Sequence, residues 1–407
     1  MPPLRRLPTQ LVRCDVTRDE NACGLLQLAH TFPPEILYAN YWYRSGTNAT
    51  MRNHLKGIVD AATAILDDEA PPTVLDIGCN DGTLLNFYRL DATRYGVDPS
   101  DVAREFGGDV LVINTAFPSE QARAALPRAG FDVVTSIAMF YDLEDPVAFA
   151  REVKALLKPG GIWILEMSYL LLMLKQNSFD TICHEHLEYY SLSVLEIIME
   201  KAGLRVFRAE LSDINGGSIR CSVCHAANAT LGSAAENAWL HHLRATEFDM
   251  ELDTDKPYAA FQGRIERLKH ELNSLLFEIR AAGKRVHVYG ASTKGNVLLQ
   301  WYGINRMIVE VAADRNPQKA GARTLGTDIP IVDEAESRLM KPDYYLVLPW
   351  HFRQEFLQRE REIIEQGTKF IFPLPEVEVI DRYNLEAALG KTPVNDRILE
   401  QVIYATA

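Results

Sequence analysis

The chain of 407 residues carries 42 Lys and Arg against 55 Asp and Glu, a formal net charge of −13, which excludes a protein that works by neutralising nucleic-acid phosphates or coating an anionic membrane. Its length exceeds one ordinary hydrophobic core and predicts two or three domains, at roughly 100–200 residues each. The first residues lack the apolar core of a signal peptide, the run from Tyr169 to Leu174 is too short to span a bilayer, and six scattered cysteines read as thiols or metal ligands of a reducing compartment, so the expected location is the cytoplasm.

Residues 1–70 read as a small N-terminal lobe, irregular and Pro-containing, that closes on a helix with an apolar face built from Leu55, Ile58, Ala62 and Ile65. Residues 71–235 alternate short apolar strands with helices. The strands begin at Val74, Tyr95, Val110, Phe131 and Ile162, and the alternation predicts a parallel sheet covered by helices. In the first unit, Val74-Leu75-Asp76-Ile77-Gly78-Cys79-Asn80-Asp81-Gly82-Thr83 is a strand that turns through glycine into a helix. Gly78 and Gly82 let backbone approach a ligand, with Asp76 and Asn80 beside them. Asp98 ends the next strand, where a carboxylate can accept from both hydroxyls of a ribose. This set is the expected site of S-adenosylmethionine, and it lacks the third glycine of a dinucleotide fingerprint.

Cys183-His184-Glu185-His186-Leu187-Glu188-Tyr189-Tyr190 packs acid, base and phenol into eight residues. His and Glu enter a core only when each finds a partner, so the segment reads either as a catalytic acid–base cluster or as a hydrogen-bonded cluster that joins two domains. Next, Ser193 and Glu196 are expected to form a capping box on a helix closed by Gly203. A strand, a loop and a strand follow up to Cys224. Cys221 and Cys224 should point to opposite faces of that strand, which argues against a shared metal.

Residues 236–282 read as a helical connector and residues 283–407 as a second α/β lobe with a tail and a terminal helix. Its loop, Gly290-Ala291-Ser292-Thr293-Lys294-Gly295-Asn296, mimics a dinucleotide fingerprint with serine at the middle glycine. Backbone amides, Ser292 and Lys294 could cradle a pyrophosphate, with Asp314 and Trp350 on the same edge of the sheet; alternatively the glycines serve only packing.

Taken together, Tyr41-Trp42-Tyr43-Arg44-Ser45-Gly46, the glycine turn after Asp76, His184-Glu185-His186 with Tyr189-Tyr190, Gly216-Gly217-Ser218-Ile219-Arg220, the loop at residues 290–295 and Leu348-Pro349-Trp350 resemble the nucleotide-sugar C-methyltransferases that build branched deoxysugars. The resemblance covers nearly the whole chain. It implies a class I, Rossmann-like S-adenosylmethionine domain, a second Rossmann-like C-terminal domain that binds a nucleoside diphosphate sugar, and a small N-terminal zinc module. It further implies methylation of the carbon next to a C4 ketone. His186 would be the base, Glu185 would orient the sugar or tune the histidine, and His184 or Tyr43 would donate toward the enolate oxygen. Tyr41, Gly216, Gly217, Ser292, Lys294, Asp314 and Trp350 would contact the substrate. Two departures weaken the transfer of the substrate: Cys183 stands where related enzymes carry tyrosine, and Asn215 where they often carry histidine. The zinc module of the family uses four cysteines, of which Cys14 and Cys23 alone fall in the matching region, so zinc is a weak expectation. A sugar O-methyltransferase, an NAD-dependent nucleotide-sugar oxidoreductase and a non-catalytic nucleotide-sugar binder remain as alternatives. The sequence leaves monomer and dimer undecided.

Overall fold

The computed structural model describes residues 7–19, 21–33, 37, 43–66, 70–106, 108–390 and 402. Tyr41 and most of the expected C-terminal tail lie outside the described residues. Strands β1 (Leu11–Arg13) and β2 (Leu26–Leu28) pair antiparallel. The central sheet takes β3 (Thr73–Ile77), β4 (Thr93–Val97), β5 (Val110–Ile113), β6 (Phe131–Ile137) and β7 (Leu157–Ser168) as parallel neighbours. A short β8 (Glu188–Tyr189) then joins β2, so the N-terminal lobe is hydrogen-bonded to the chain just past His186. β9 (Leu204–Ser212) and β10 (Ser218–His225) complete seven strands in the order β5-β4-β3-β6-β7-β10-β9, with β10 antiparallel to both neighbours. This is the mixed α/β sheet of a class I methyltransferase fold.

The strand alternation has a physical basis in two covered faces. Leu75, Ile77, Val134, Trp163 and Leu165 belong to one core, while Val74, Val133, Ile162 and Ile164 belong to the other. Cys221 lies in the first core and Cys224 in the second, on opposite faces of β10. Helix α1 (Ala49–Thr63) covers the second face with Met51, Leu55, Ile58, Val59 and Ala62. Among the described residues no helix is long and apolar enough to cross a membrane.

One expected feature of the next helix, α2 (Leu192–Ala202), is corrected. Its N-cap is Ser191, which accepts from the Val194 amide at 3.2 Å, and not Ser193 in a box with Glu196. The reason lies on α3 (Ala234–Asp249). Buried Glu247 accepts from the Leu192 and Ser193 amides at 2.5 and 3.0 Å, from Ser193 Oγ at 2.5 Å and from Tyr169 Oη at 2.7 Å. A carboxylate from a distant helix thus supplies the first-turn acceptor that the local sequence was expected to provide. Gly203 ends the helix as expected, at φ 73.

Helix α4 (Lys256–Ala281) carries Phe261, Ile265, Leu268, Leu272, Leu276 and Ile279 as one apolar stripe. It packs into a core shared by Leu170, Met173, Leu174 and Phe179 of the central lobe and the strands of the C-terminal lobe. Those strands are β11 (Val286–Tyr289), β12 (Ala312–Asp314), β13 (Ile331–Asp333), β14 (Tyr344–Val347), β15 (Lys369–Phe372) and β16 (Glu378–Ile380). Their order is β13-β12-β11-β14-β15-β16, parallel except for β16, as in a Rossmann-like unit.

Replacing Glu247 by Ala strands two backbone amides and two hydroxyls without their acceptor. A loss of about 3 kcal/mol is expected. Urea unfolding followed by fluorescence checks it, and Glu247→Gln should lose less because one oxygen remains.

Candidate active site

The glycine turn after β3 is built as the sequence implies, with Gly78 at φ 80, Asn80 at φ 49 and Gly82 at φ 71. A Cβ on Gly82 would lie 2.2 Å from the Phe106 ring, so glycine is required there for close approach as well as for conformation. Asp98 accepts the Asn80 amide at 2.9 Å and the Ser100 amide at 2.7 Å. A carboxylate has about four lone-pair positions, so two remain for ligand hydroxyls. Ser100 Oγ beside it is buried and has no partner among the described residues. These groups fit the ribose end of S-adenosylmethionine. Asp76 takes a different position: it is buried, accepts from Thr135 Oγ1 at 2.6 Å, and ties β3 to β6. Burial, with a smaller push from Asp98, raises its carboxyl to about 7. The Asn80 side chain also turns to protein, donating to the Tyr43 carbonyl at 2.9 Å and accepting from the Ser45 amide at 3.0 Å.

His186 is buried in the loop that follows a short turn at Phe179–Thr181. Its Nδ1 lies 2.8 Å from the Thr181 carbonyl. A carbonyl can only accept, so Nδ1 carries the proton and Nε2 keeps its lone pair. The Tyr141 ring packs against the imidazole with centroids 4.2 Å apart. Burial, then the nearby Lys294 charge, lower the imidazolium pKa to about 3 against the opposing pull of Thr181. His186 is therefore neutral across the physiological range. Cys183 is buried and its thiol is pushed up to about 12, chiefly by burial, which keeps it a neutral thiol. His184 points elsewhere, donating to the Pro8 carbonyl of the N-terminal lobe at 3.3 Å. Tyr43 is 47% exposed and lies over the glycine turn by its backbone contact to Asn80.

The C-terminal lobe completes the surroundings of His186. Lys294, the second residue of α5 (Thr293–Tyr302), donates to the Asn215 carbonyl at 2.9 Å. Trp350, 2% exposed, donates its indole N–H to Asp180 Oδ2 at 3.0 Å. A Cβ on Gly216 would lie 3.0 Å from that indole, and one on Gly217 2.6 Å from Leu172. Trp350 and Gly216 thus meet at the seam between the lobes, while Gly217 packs inside the central lobe. The remaining expected substrate residues are engaged within their own loop. Ser292 caps α5 through the Gly295 amide at 3.0 Å, and Asp314 accepts from the Ala291 amide at 2.8 Å and from Lys319 at 3.1 Å.

Sequence reasoning missed Asp180, Gln176 and Glu166 here. Among the described residues, Asp180 is buried with Oδ1 unpartnered, and both polar atoms of the Gln176 amide are buried and unpartnered, as is His351 Nδ1. At the end of β7, buried Glu166 accepts from His54 at 2.5 Å and from Arg220 at 2.9 Å. Burial works to raise its pKa, but His54 and Arg220 outweigh it and hold the carboxyl below its ordinary value. An acid inside an apolar strand was the available signal for Glu166; Gln176 and Asp180 gave none. Among the described residues no group of three potential ligands surrounds Cys14 and Cys23 or any other metal site.

Residues 48–209 match a methyltransferase domain, and residues 213–375 match the C-terminal domain of C-methyltransferases. C-methyltransferase NovU of Streptomyces niveus is 33% identical over 88% of this chain and 85% of its own length. The chain belongs to the C-methyltransferase family. It is an S-adenosylmethionine-dependent methyltransferase. Shorter similarities include a tRNA U34 carboxymethyltransferase of Pseudoalteromonas translucida, 27% identical over 45% of this chain and 56% of that protein. Among solved structures, the magnesium protoporphyrin IX methyltransferase of Synechocystis is 15% identical over 47% of this chain and 91% of its own, with a TM-score of 0.34.

In this C-methyltransferase, Gly217→Ala places a Cβ in contact with Leu172 at φ 109. A destabilisation of about 2 kcal/mol is expected from the combined clash and backbone strain, read as a lowered thermal unfolding temperature.

Proposed function

We propose that the enzyme methylates carbon next to the ketone of a nucleoside diphosphate 4-keto-deoxysugar, through an enolate formed by His186. The observation that carries this reading is the tautomer of His186. Its Nδ1–H is committed to the Thr181 carbonyl, so Nε2 is directed to take a proton, and burial keeps it unprotonated. A C–H beside a ketone is a weak acid, and a positioned neutral base is what its removal needs. Glu185, whose carboxyl is raised by burial against the opposing influence of Thr293 and Lys294, stands beside this base where a sugar hydroxyl could be held. When bound, S-adenosylmethionine supplies an electrophilic methyl group, with Asp98 and the glycine turn as its expected holders. Tyr141 shields one side of the imidazole from water.

The C-terminal lobe is assigned to the nucleotide part of the substrate. It presents the strand ends of a Rossmann-like sheet toward the same seam, the usual place for a nucleotide. This arrangement supports assigning residues 71–235 to the donor and 283–407 to the acceptor. The C-methyltransferase activity for which the Streptomyces relative is named supports carbon over oxygen as acceptor.

Incubation with 13C-methyl S-adenosylmethionine and a panel of nucleoside diphosphate 4-keto-sugars tests this by NMR. The expected product has a high-field methyl on carbon; a methyl on oxygen discards the enolate. His186→Ala should lower turnover by about 10²–10⁴-fold, the usual range for a general base. Because His186 is held near pKa 3, the rate should not show an acid limb at the ordinary histidine pKa. It should stay level as pH falls from about 8 to 5 and decline only on further acidification.

A further inference from the structure

We propose that Lys294, a residue of the C-terminal lobe, is a catalytic residue, donating its ammonium protons to the substrate oxygen that becomes negative as His186 takes the carbon-bound proton. This inference rests on the enolate reading above and goes beyond the role of Lys294 in holding a pyrophosphate.

Three observations separate it from a phosphate ligand. In the loop that was expected to cradle pyrophosphate, the Ala291 backbone and the Ser292 hydroxyl are already engaged by groups of the same lobe. Ala291 gives its amide to Asp314 and its carbonyl accepts from Lys319 at 2.8 Å, while the Ser292 hydroxyl takes the Gly295 amide. Lys294 instead crosses to the other lobe. Its ammonium is held by the carbonyl of Asn215, a residue at φ 58 that leads into Gly216 and Gly217 at φ 85 and 109. One of three N–H donors is used there, which leaves two for a ligand.

The groups facing Lys294 come from three elements. Asp180, Cys183, Glu185 and His186 belong to the central lobe, and His351 follows Trp350 in the C-terminal lobe. His186 is further bounded by Tyr141 and Tyr189, and Asp180 by Trp350 and Tyr302. Burial disfavours the charge on Lys294, and Asp180, Cys183 and Glu185 act against that effect. Both imidazoles are held toward neutrality, by burial first and by Lys294 second. Among these facing groups Lys294 is the sole cation beside two carboxyls. Enolate formation adds a negative charge to that cluster, and without Lys294 it would develop against Asp180 and Glu185 with no counter-charge.

The strength of the base makes the same demand. An imidazole held neutral by its surroundings is a poor proton acceptor, so its partner reaction must be made easier by stabilising the product oxyanion. The step balances without the methyl donor. The carbon–hydrogen bond breaks, the proton goes to His186 Nε2, and the electron pair moves through the new carbon–carbon double bond onto the ketone oxygen, beside Lys294.

The test is exchange of the substrate C–H with solvent deuterium, run with S-adenosylhomocysteine and the 4-keto-sugar nucleotide accepted by the wild type. Lys294→Met keeps the aliphatic stem and removes the charge. Exchange and kcat are expected to fall by about 10²–10³-fold, the usual loss for one oxyanion donor, while thymidine diphosphate alone binds within threefold of wild type by calorimetry. Lys294→Arg should recover at least tenfold of the exchange, which shows that charge and not packing is at issue. In Lys294→Met the acid limb of exchange should also move to higher pH, because His186 loses a neighbouring cation that disfavours its protonation. Unchanged kcat with tenfold weaker thymidine diphosphate binding assigns Lys294 to phosphate and overturns the proposal. A wild type inert toward every 4-keto-sugar removes the underlying reading, whereas an active wild type with undiminished exchange in Lys294→Met overturns this inference alone.

Discussion

Hydrogen bonds between buried polar groups cross the seam between the two large lobes, and they fix the arrangement of the candidate site. Trp350 and Asp180 share one hydrogen bond across it, Lys294 and Asn215 another. Asn177 donates to the Pro375 carbonyl at 3.1 Å and accepts from Arg264 at 2.8 Å. Each bond is made by groups that would be costly to bury alone, so the lobes are held in one register and not merely in contact. The apolar core running from Leu170 and Phe179 into the C-terminal sheet supplies the driving force. The polar bonds choose the arrangement.

That arrangement puts the glycine turn and His186 at the edge of one sheet and Lys294 at the edge of the other. His186 is oriented by a backbone carbonyl, which cannot itself be protonated and cannot rotate away. A side-chain partner would have left the tautomer dependent on pH. The N-terminal lobe adds to this rigidity through β8, which pairs with β2 directly after the loop carrying His186, and through His184, bonded to Pro8. The loop carrying His186 is therefore anchored on both sides.

Much of the fold was legible because burial on two sheet faces writes short apolar runs into the sequence. The glycine turn and the stripe on α4 were readable for related reasons of conformation and period. The start of α2 was not, since Glu247 lies 55 residues beyond the amide it caps, and local patterns carry no information about such partners. The site was legible in part. His186 and Glu185 stand together with Lys294, but His184 turns to the N-terminal lobe, Ser292 and Asp314 serve contacts within their own lobe, and Asp76 and Asn80 hold protein to protein. Motif spacing marks which residues lie near a ligand-binding edge; it does not distinguish those that face the ligand from those that build the edge.

The sequence by itself determined two α/β units, a turn that only glycine can make, and an acid–base segment between them. These follow from backbone conformation and burial, which act over a few residues. Tertiary structure decided which nitrogen of His186 is available, that Trp350 is a seam residue, and that Lys294 leaves its own loop for the other lobe. Those outcomes depend on which hydrogen-bond partners two distant segments offer each other once water is excluded, and no local property of either segment encodes that choice.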